Sequence, residues 1–174
     1  MQRNESTLPL VAASEPYPKI EVSKPNLRYA HILSQDFASA KGEMTAIFEY
    51  LYQHWILGNI DSEFAKLLAR IAVVEMHHLD ILGQLIVLLG GTPQCASIQH
   101  NRPIVWNGGM MNYTKQLKDM LTFNLYLEQS AIDAYTAHAR GIEDPNVSAI
   151  LLRIVQDERI HLQIFQDTMA TLTQ

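Results

Sequence analysis

The strongest constraint on this chain is that it repeats itself. The run Glu43-x-Thr45-Ala46-Ile47-x-x-Tyr50 returns as Glu128-x-Ser130-Ala131-Ile132-x-x-Tyr135, offset by 85 residues. A second run, Arg70-Ile71-x-x-x-Glu75-x-x-His78-Leu79-x-Ile81, returns as Arg153-Ile154-x-x-x-Glu158-x-x-His161-Leu162-x-Ile164, offset by 83. The second glutamate thus follows the first by 32 residues in one copy and by 30 in the other. Two copies of one unit place their acidic positions at matching heights.

Proline placement separates the repeated part from the rest. Pro9, Pro16, Pro18 and Pro25 fall within the first 33 residues, so this segment reads as extended or irregular. Beyond it, helical periodicity predicts four helices. The first runs from Ser34, as N-cap, to Leu57, with Gly58-Asn59 as its stop. The second runs from Asp61-Ser62 to Leu89, and the third from about Asn112–Thr114 to Arg140-Gly141. The fourth has Asp144 as N-cap and Pro145 in its first turn. Each would be about 36–42 Å long at ~1.5 Å per residue. Short connections make each pair an antiparallel hairpin, and the long link from Gly90 to Met111 can cross the length of the bundle. The expected fold is all-α: a four-helix bundle, residues 34–174, of two hairpins joined by one long crossover, preceded by an N-terminal segment, residues 1–33. That segment carries Tyr17, Ile20, Val22, Leu27, Tyr29 and Ile32, too many apolar side chains for a free tail. It is expected to pack on its own bundle or on a partner subunit. Ile98, Ile104, Val105 and Trp106 of the crossover are likewise expected against the helices.

The repeated residues carry chemistry. Glu and His at i, i+3 project from one side of a helix toward a neighbour. A Glu-x-x-His pair from each of two helices, with one Glu from each of the other two, gives four carboxylates and two imidazoles. Four negative charges balance two divalent cations, and oxygen and nitrogen donors suit iron or manganese. Without metal the same carboxylates would be costly to bury, and some would protonate. Ile71, Val74, Leu79 and Leu82 around the first pair, and Ile154, Leu162 and Phe165 around the second, support burial.

On these residues the chain resembles the ferritin-like superfamily over about Ser34 to Leu172, above all its rubrerythrin-type and bacterioferritin-type members, and it also resembles short relatives of manganese catalase. The resemblance implies a ferritin-like four-helix bundle with a dimetal centre of iron (first choice) or manganese. It implies Glu43, Glu75, His78, Glu128, Glu158 and His161 as ligands, with Glu75 and Glu158 bridging the metals and the four glutamates forming the catalytic centre. Three departures narrow it. One cysteine, Cys95, cannot build the rubredoxin module of full-length rubrerythrins, and Ala131 stands where they add a carboxylate. Met76 occupies the position of the haem-binding methionine of bacterioferritins. It reads here as an ordinary helix-packing residue, so haem is not expected. The short fifth helix of cage-forming ferritins is not expected either.

Tyr50 and Tyr135 lie seven residues after their glutamates, two turns along the same face, as hydrogen-bonding or redox-active tyrosines behind the metal ligands. Ala46 and Ala131, one turn from the same glutamates, would leave room for dioxygen or peroxide. His77 points away from the site, His54 is too distant to bind the same metals, and His31 and His138 carry no readable signal.

The remaining composition excludes other classes. A net charge of −5 with 13 scattered basic residues gives no nucleic-acid footprint. No uninterrupted apolar run suggests a membrane span, and the N-terminus reads as lacking a secretory leader, so a cytoplasmic location is expected. The expected function is a dimetal oxidoreductase acting on hydrogen peroxide or dioxygen, peroxidase-like or catalase-like, as a homodimer or small homo-oligomer, with a separate electron donor possible. The rivals are ferrous-iron oxidation and storage, or a structural, spore-coat-type role.

Overall fold

The computed structural model of the protein describes residues 9–100 and 102–172; residues 1–8, part of the segment expected to be extended, lie outside it. Its helices are α1 (Leu27–Ala38), α2 (Glu43–Leu57), α3 (Ser62–Leu88), α4 (Leu117–Gly141) and α5 (Pro145–Thr171). Helices α2 and α3 form one hairpin and α4 and α5 the other, with α1 packed on α3 and on the crossover that follows it. This is the expected four-helix bundle of two hairpins, with its first helix broken into α1 and α2.

The break is a correction to the continuous helix expected from Ser34. The N-cap is Asn26, whose side chain accepts from the backbone N–H groups of Arg28 and Tyr29. Ser34 instead lies inside α1, where its hydroxyl donates to the carbonyl of His31 and accepts from the N–H of Ile98. The chain leaves the helix after Ala38 and restarts at Glu43, with Gly42 as cap. A Cβ on Gly42 would lie 2.8 Å from the carbonyl oxygen of Gln35 and closer still to that of Asp36, so the turn closes only because no side chain is there. Thr45 ties the joint, donating to the carbonyl of Ser39 and accepting from the indole of Trp106.

Other boundaries follow local chemistry. The Asp144 cap with Pro145 at the first position of α5 is as expected. Helix α3 ends where Gly90 takes φ +87°, a left-handed residue that lets Gly91 bond back to the carbonyl of Ile86. Helix α4 begins at Leu117, later than expected, because Asn112 turns the chain by accepting from the N–H of Thr114 and donating its own N–H to Glu49.

The crossover is not purely irregular. It holds a small antiparallel hairpin, β1 (Ala96–Gln99) with β2 (Arg102–Val105), pairing Ala96 with Val105 and Gln99 with Arg102. Trp106 packs on the core and stacks on Phe48, but Ile104 and Val105 face outward, contrary to expectation. Two apolar clusters fill the bundle. One is built around Leu33, Ile81, Leu85, Ile150 and Ile154, the other around Leu57, Phe64, Leu68, Leu121 and Phe165. Helix α3 is apolar enough to pass for a membrane span by composition, with mean hydropathy 1.5, yet it buries Glu75 and His78 within the bundle.

The joint at Gly42 generates a stability prediction. Gly42→Ala should cost about 1–3 kcal/mol through forced overpacking, read as a lower denaturant midpoint with an unchanged slope. Gly141→Ala, where a new Cβ would meet nothing within 4 Å, should change stability by no more than about 0.5 kcal/mol.

Candidate metal centre

Each repeated acidic residue occupies a helix position that aims it inward. Glu43 is the first residue of α2, placed by the Gly42 joint; Glu75 and His78 lie within α3, Glu128 within α4, and Glu158 and His161 within α5. All six are buried, none more than 4% exposed. They gather into two groups whose potential ligand atoms lie within 4.8 Å of one another. One is Glu43, Glu75, His78 and Glu158; the other is Glu75, Glu128, Glu158 and His161. Glu75 and Glu158 are common to both.

The imidazoles turn the same edge inward. His78 Nδ1 lies 2.8 Å from Glu75 Oε2 and 3.1 Å from Glu158 Oε1, and His161 Nδ1 lies 3.0 Å from Glu75 Oε1 and 3.3 Å from Glu158 Oε2. Glu158 Oε1 is buried with no hydrogen-bond partner among the described residues, its 3.1 Å approach to His78 lacking hydrogen-bond geometry. A buried carboxylate oxygen with free lone pairs, among three further carboxylates and two inward nitrogens, fits a cation better than it fits a proton network. These six side chains could hold two metal ions.

The metal-free charge pattern shows what the fold must offset. Burial, reinforced by the charges of Glu75 and Glu158, raises the Glu43 carboxyl well above its ordinary range; burial and Glu158 do the same to Glu128. Burial alone would also raise Glu75 and Glu158, but the two imidazoles outweigh it and lower both. Burial would deprotonate the imidazoles, but the facing carboxylates prevail: Glu158 foremost for His78, Glu75 foremost for His161. Two carboxylates and two imidazoliums then cancel, and two neutral carboxyls remain.

The tyrosines serve the opposite hairpin. Tyr50 donates its hydroxyl to Glu128, and Tyr135 donates to Glu43. Each thus stands behind a glutamate, that of the other hairpin, as a pseudo-twofold relation between the hairpins gives. Burial first, then the glutamate charges, raises both phenols, so both stay protonated donors. Between them, at the carboxylate side, lies a cavity of about 20 Å³ lined by Ala46, Tyr50, Leu127, Ala131 and Tyr135 along with the four glutamates. It admits a molecule of about the size of water.

Several features escaped the sequence reading. Tyr17 and Asp157 lie behind His78: Tyr17 donates to Asp157, and His78 Nε2 lies 3.0 Å from the Tyr17 hydroxyl and 3.1 Å from Asp157 Oδ2. Glu49 is buried below the site, accepting from Gln53 and the N–H of Asn112, while Gln53 and Asn124 pair their amides. Glu49 sits seven residues before Ile56 in an otherwise apolar run, a periodicity that marks burial but names no partner. His138, silent in sequence, bonds Asp36 at 2.8 Å. Met76, expected to pack within the bundle, is instead 43% exposed in a groove with Ile20, Phe37 and Leu79. Its position directly after Glu75 turns it to the outer side of α3. His77 is exposed with its ring edge against Tyr17, and His54 bonds the carbonyl of Ala65, both away from the cluster.

The fold is shared with known proteins. The family model of the ferritin-like domain matches residues 38–174. A probable manganese catalase from Clostridium acetobutylicum is 23% identical over 87% of this chain and 74% of its own. Among solved structures, KatB, a manganese catalase from Anabaena, superposes with a TM-score of 0.82 at 22% identity, covering 92% of this chain and 80% of that one. The bacterioferritin of Desulfovibrio desulfuricans superposes with a TM-score of 0.70 at 20% identity, covering 84% and 80%.

The charge pattern sets a pH dependence. Groups raised in the folded state (Glu43 and Glu128 above 4.5, His78 and His161 above 6.5) stabilise it at low pH and lose that contribution as pH rises through the raised values. Glu75 and Glu158, lowered, contribute above 4.5 and lose it as pH falls. The thermal midpoint of metal-free protein should therefore fall as pH rises above 6.5, and saturating Mn²⁺ should abolish most of that fall. A midpoint that rises over this range without metal would contradict the pattern.

Proposed function

Because the chain belongs to the ferritin-like domain family, we propose that its six clustered side chains hold two iron or manganese ions and that the loaded protein is an oxidoreductase consuming hydrogen peroxide, in the manner of a catalase. The observation that carries this reading is the pair of ligand groups sharing Glu75 and Glu158, open toward a cavity of only about 20 Å³. An organic substrate does not fit there; a small oxidant does. Bound metals would supply the capacity to take electrons from peroxide and return them.

The chain's own residues define everything around that chemistry. Glu75 and Glu158 would bridge, while Glu43 with His78 and Glu128 with His161 would each complete one ion's protein ligands. Tyr50 and Tyr135 hold the terminal carboxylates of Glu128 and Glu43 against the cavity wall, so these cannot swing freely into it. Ala46 and Ala131 keep the approach open, and the buried Leu127 lines it beside them. Dismutation converts two peroxides into one dioxygen and two waters and so requires no external reductant, which suits a chain with no cysteine cluster; a peroxidase would need a separate electron donor.

Ferrous-iron oxidation is the second reading, favoured by the likeness to bacterioferritin. Exposed Trp55, Val73 and Val87 favour assembly with further copies of this chain as a homodimer or small oligomer, and the unpaired, exposed Cys95 suits a reducing cytoplasm.

Manganese- or iron-loaded protein should evolve oxygen from hydrogen peroxide at an oxygen electrode. Loaded protein that neither evolves oxygen nor oxidises Fe²⁺ would overturn the enzymatic reading and leave a structural, spore-coat-type role. Oxidation of Fe²⁺ without oxygen evolution, in a particle of many subunits, would favour iron storage. Tyr135→Phe should lower activity or metal affinity about 10–100-fold. Ala131→Leu, which fills the cavity, should lose at least about tenfold in rate while still taking up two metals per chain, counted by elemental analysis.

A further inference from the structure

The two halves of the candidate centre differ in what stands behind their imidazoles. His78 Nε2 faces Asp157 Oδ2 at 3.1 Å and the Tyr17 hydroxyl at 3.0 Å. Among the described residues, His161 Nε2 faces only the backbone carbonyl of Val11, at 2.8 Å. Both sets of partners depend on one stretch of chain, residues 11–17, laid across the outer ends of the two histidines.

That stretch is fixed by a few strong contacts. Arg153 donates from Nε to the carbonyl of Glu15 and from Nη2 to the carbonyl of Ala13, while its Nη1 bonds Asp157 Oδ1 at 2.8 Å. The N–H of Ala13 donates to the same Asp157 oxygen at 2.7 Å, and the guanidinium lies 4.2 Å over the Tyr17 ring. The sequence duplication shows where the symmetry fails. The counterpart of Asp157 is Val74, which cannot accept a hydrogen bond. The counterpart of Arg153 is Arg70, whose Nη1 is buried without a hydrogen-bond partner among the described residues.

We propose that residues 11–17 form a strap that orients both imidazoles through unequal partners, a carboxylate behind His78 and a peptide carbonyl behind His161, so that the metal position at His78 fills first. The proposal rests on the dimetal reading above. A carboxylate accepting the Nε2–H makes the inner Nδ1 a stronger donor than a neutral carbonyl does, and both partners fix the tautomer that leaves Nδ1 free. Asp157 and Tyr17 are thus positioning residues, and the irregular N-terminal segment becomes part of the centre.

The test is where the first ion goes. Metal-free, full-length protein is given one equivalent of Co²⁺ per chain and crystallised, and anomalous scattering at the cobalt edge locates the ion. The expected peak lies between Glu43 and His78. A peak on the Glu128–His161 side, or equal peaks, would overturn the proposal while leaving the dimetal reading intact; no bound Co²⁺ at all would overturn both. In solution, Asp157→Asn should weaken the first step of a Co²⁺ titration about 10–100-fold and leave the second within about threefold. Equal weakening of both steps would mean that Asp157 merely supports the fold. If the variant does not fold, the position of the first ion in the unaltered protein still decides.

Discussion

Four carboxylates brought together inside an apolar bundle dominate the energetics of this protein. Isolated charges in such an interior are not tolerated, so every neighbouring group answers to them. His78 and His161 supply positive charge where no metal is bound, Tyr50 and Tyr135 supply hydrogen bonds to the terminal glutamates, and Glu43 and Glu128 retain protons. With two divalent ions the balance is again neutral, because four carboxylates then oppose four metal charges. The centre can therefore exchange protons for metals without leaving net charge in the core.

The bundle is arranged around that exchange. Apolar clusters lie on either side of the polar layer and hold the helices in place when the layer changes its charge carriers. The carboxylates face the small cavity between α2 and α4, whereas the outer nitrogens of the imidazoles face the N-terminal strap. One side of the site opens on this water-sized space, and the opposite side is fastened.

The duplication made the six central residues legible because ligand spacing on a helix is a local property: i, i+3 pairs and a repeated offset survive in any single sequence. The hairpins, the Asp144–Pro145 start of α5 and the stop at Gly90 were legible for the same reason. What remained hidden depends on contacts between distant parts of the chain. The break before Glu43 arises from close approach of Gly42 to the carbonyls of Gln35 and Asp36, which no periodicity reports. Tyr50 and Tyr135 bond the glutamates of the opposite hairpin, a pairing that counting along one helix does not supply. Tyr17 gave only a hint, as an aromatic in a proline-rich segment; its link to Asp157 spans 140 residues.

That separation carries a consequence for how the protein is made. Residues 11–17 are translated well before their anchors, Arg153, Asp157 and His161, which belong to α5. The hairpin of α2 and α3 can form long before, presenting Glu43, Glu75 and His78 with no fourth helix to cover them. Until α5 emerges, residues 11–17 can reach only α3, through Tyr17 beside His77 and His78. A stretch translated before α1 thus reaches its final place only once α5 is in position, and the order of translation itself keeps the histidine side of the centre unsealed until then.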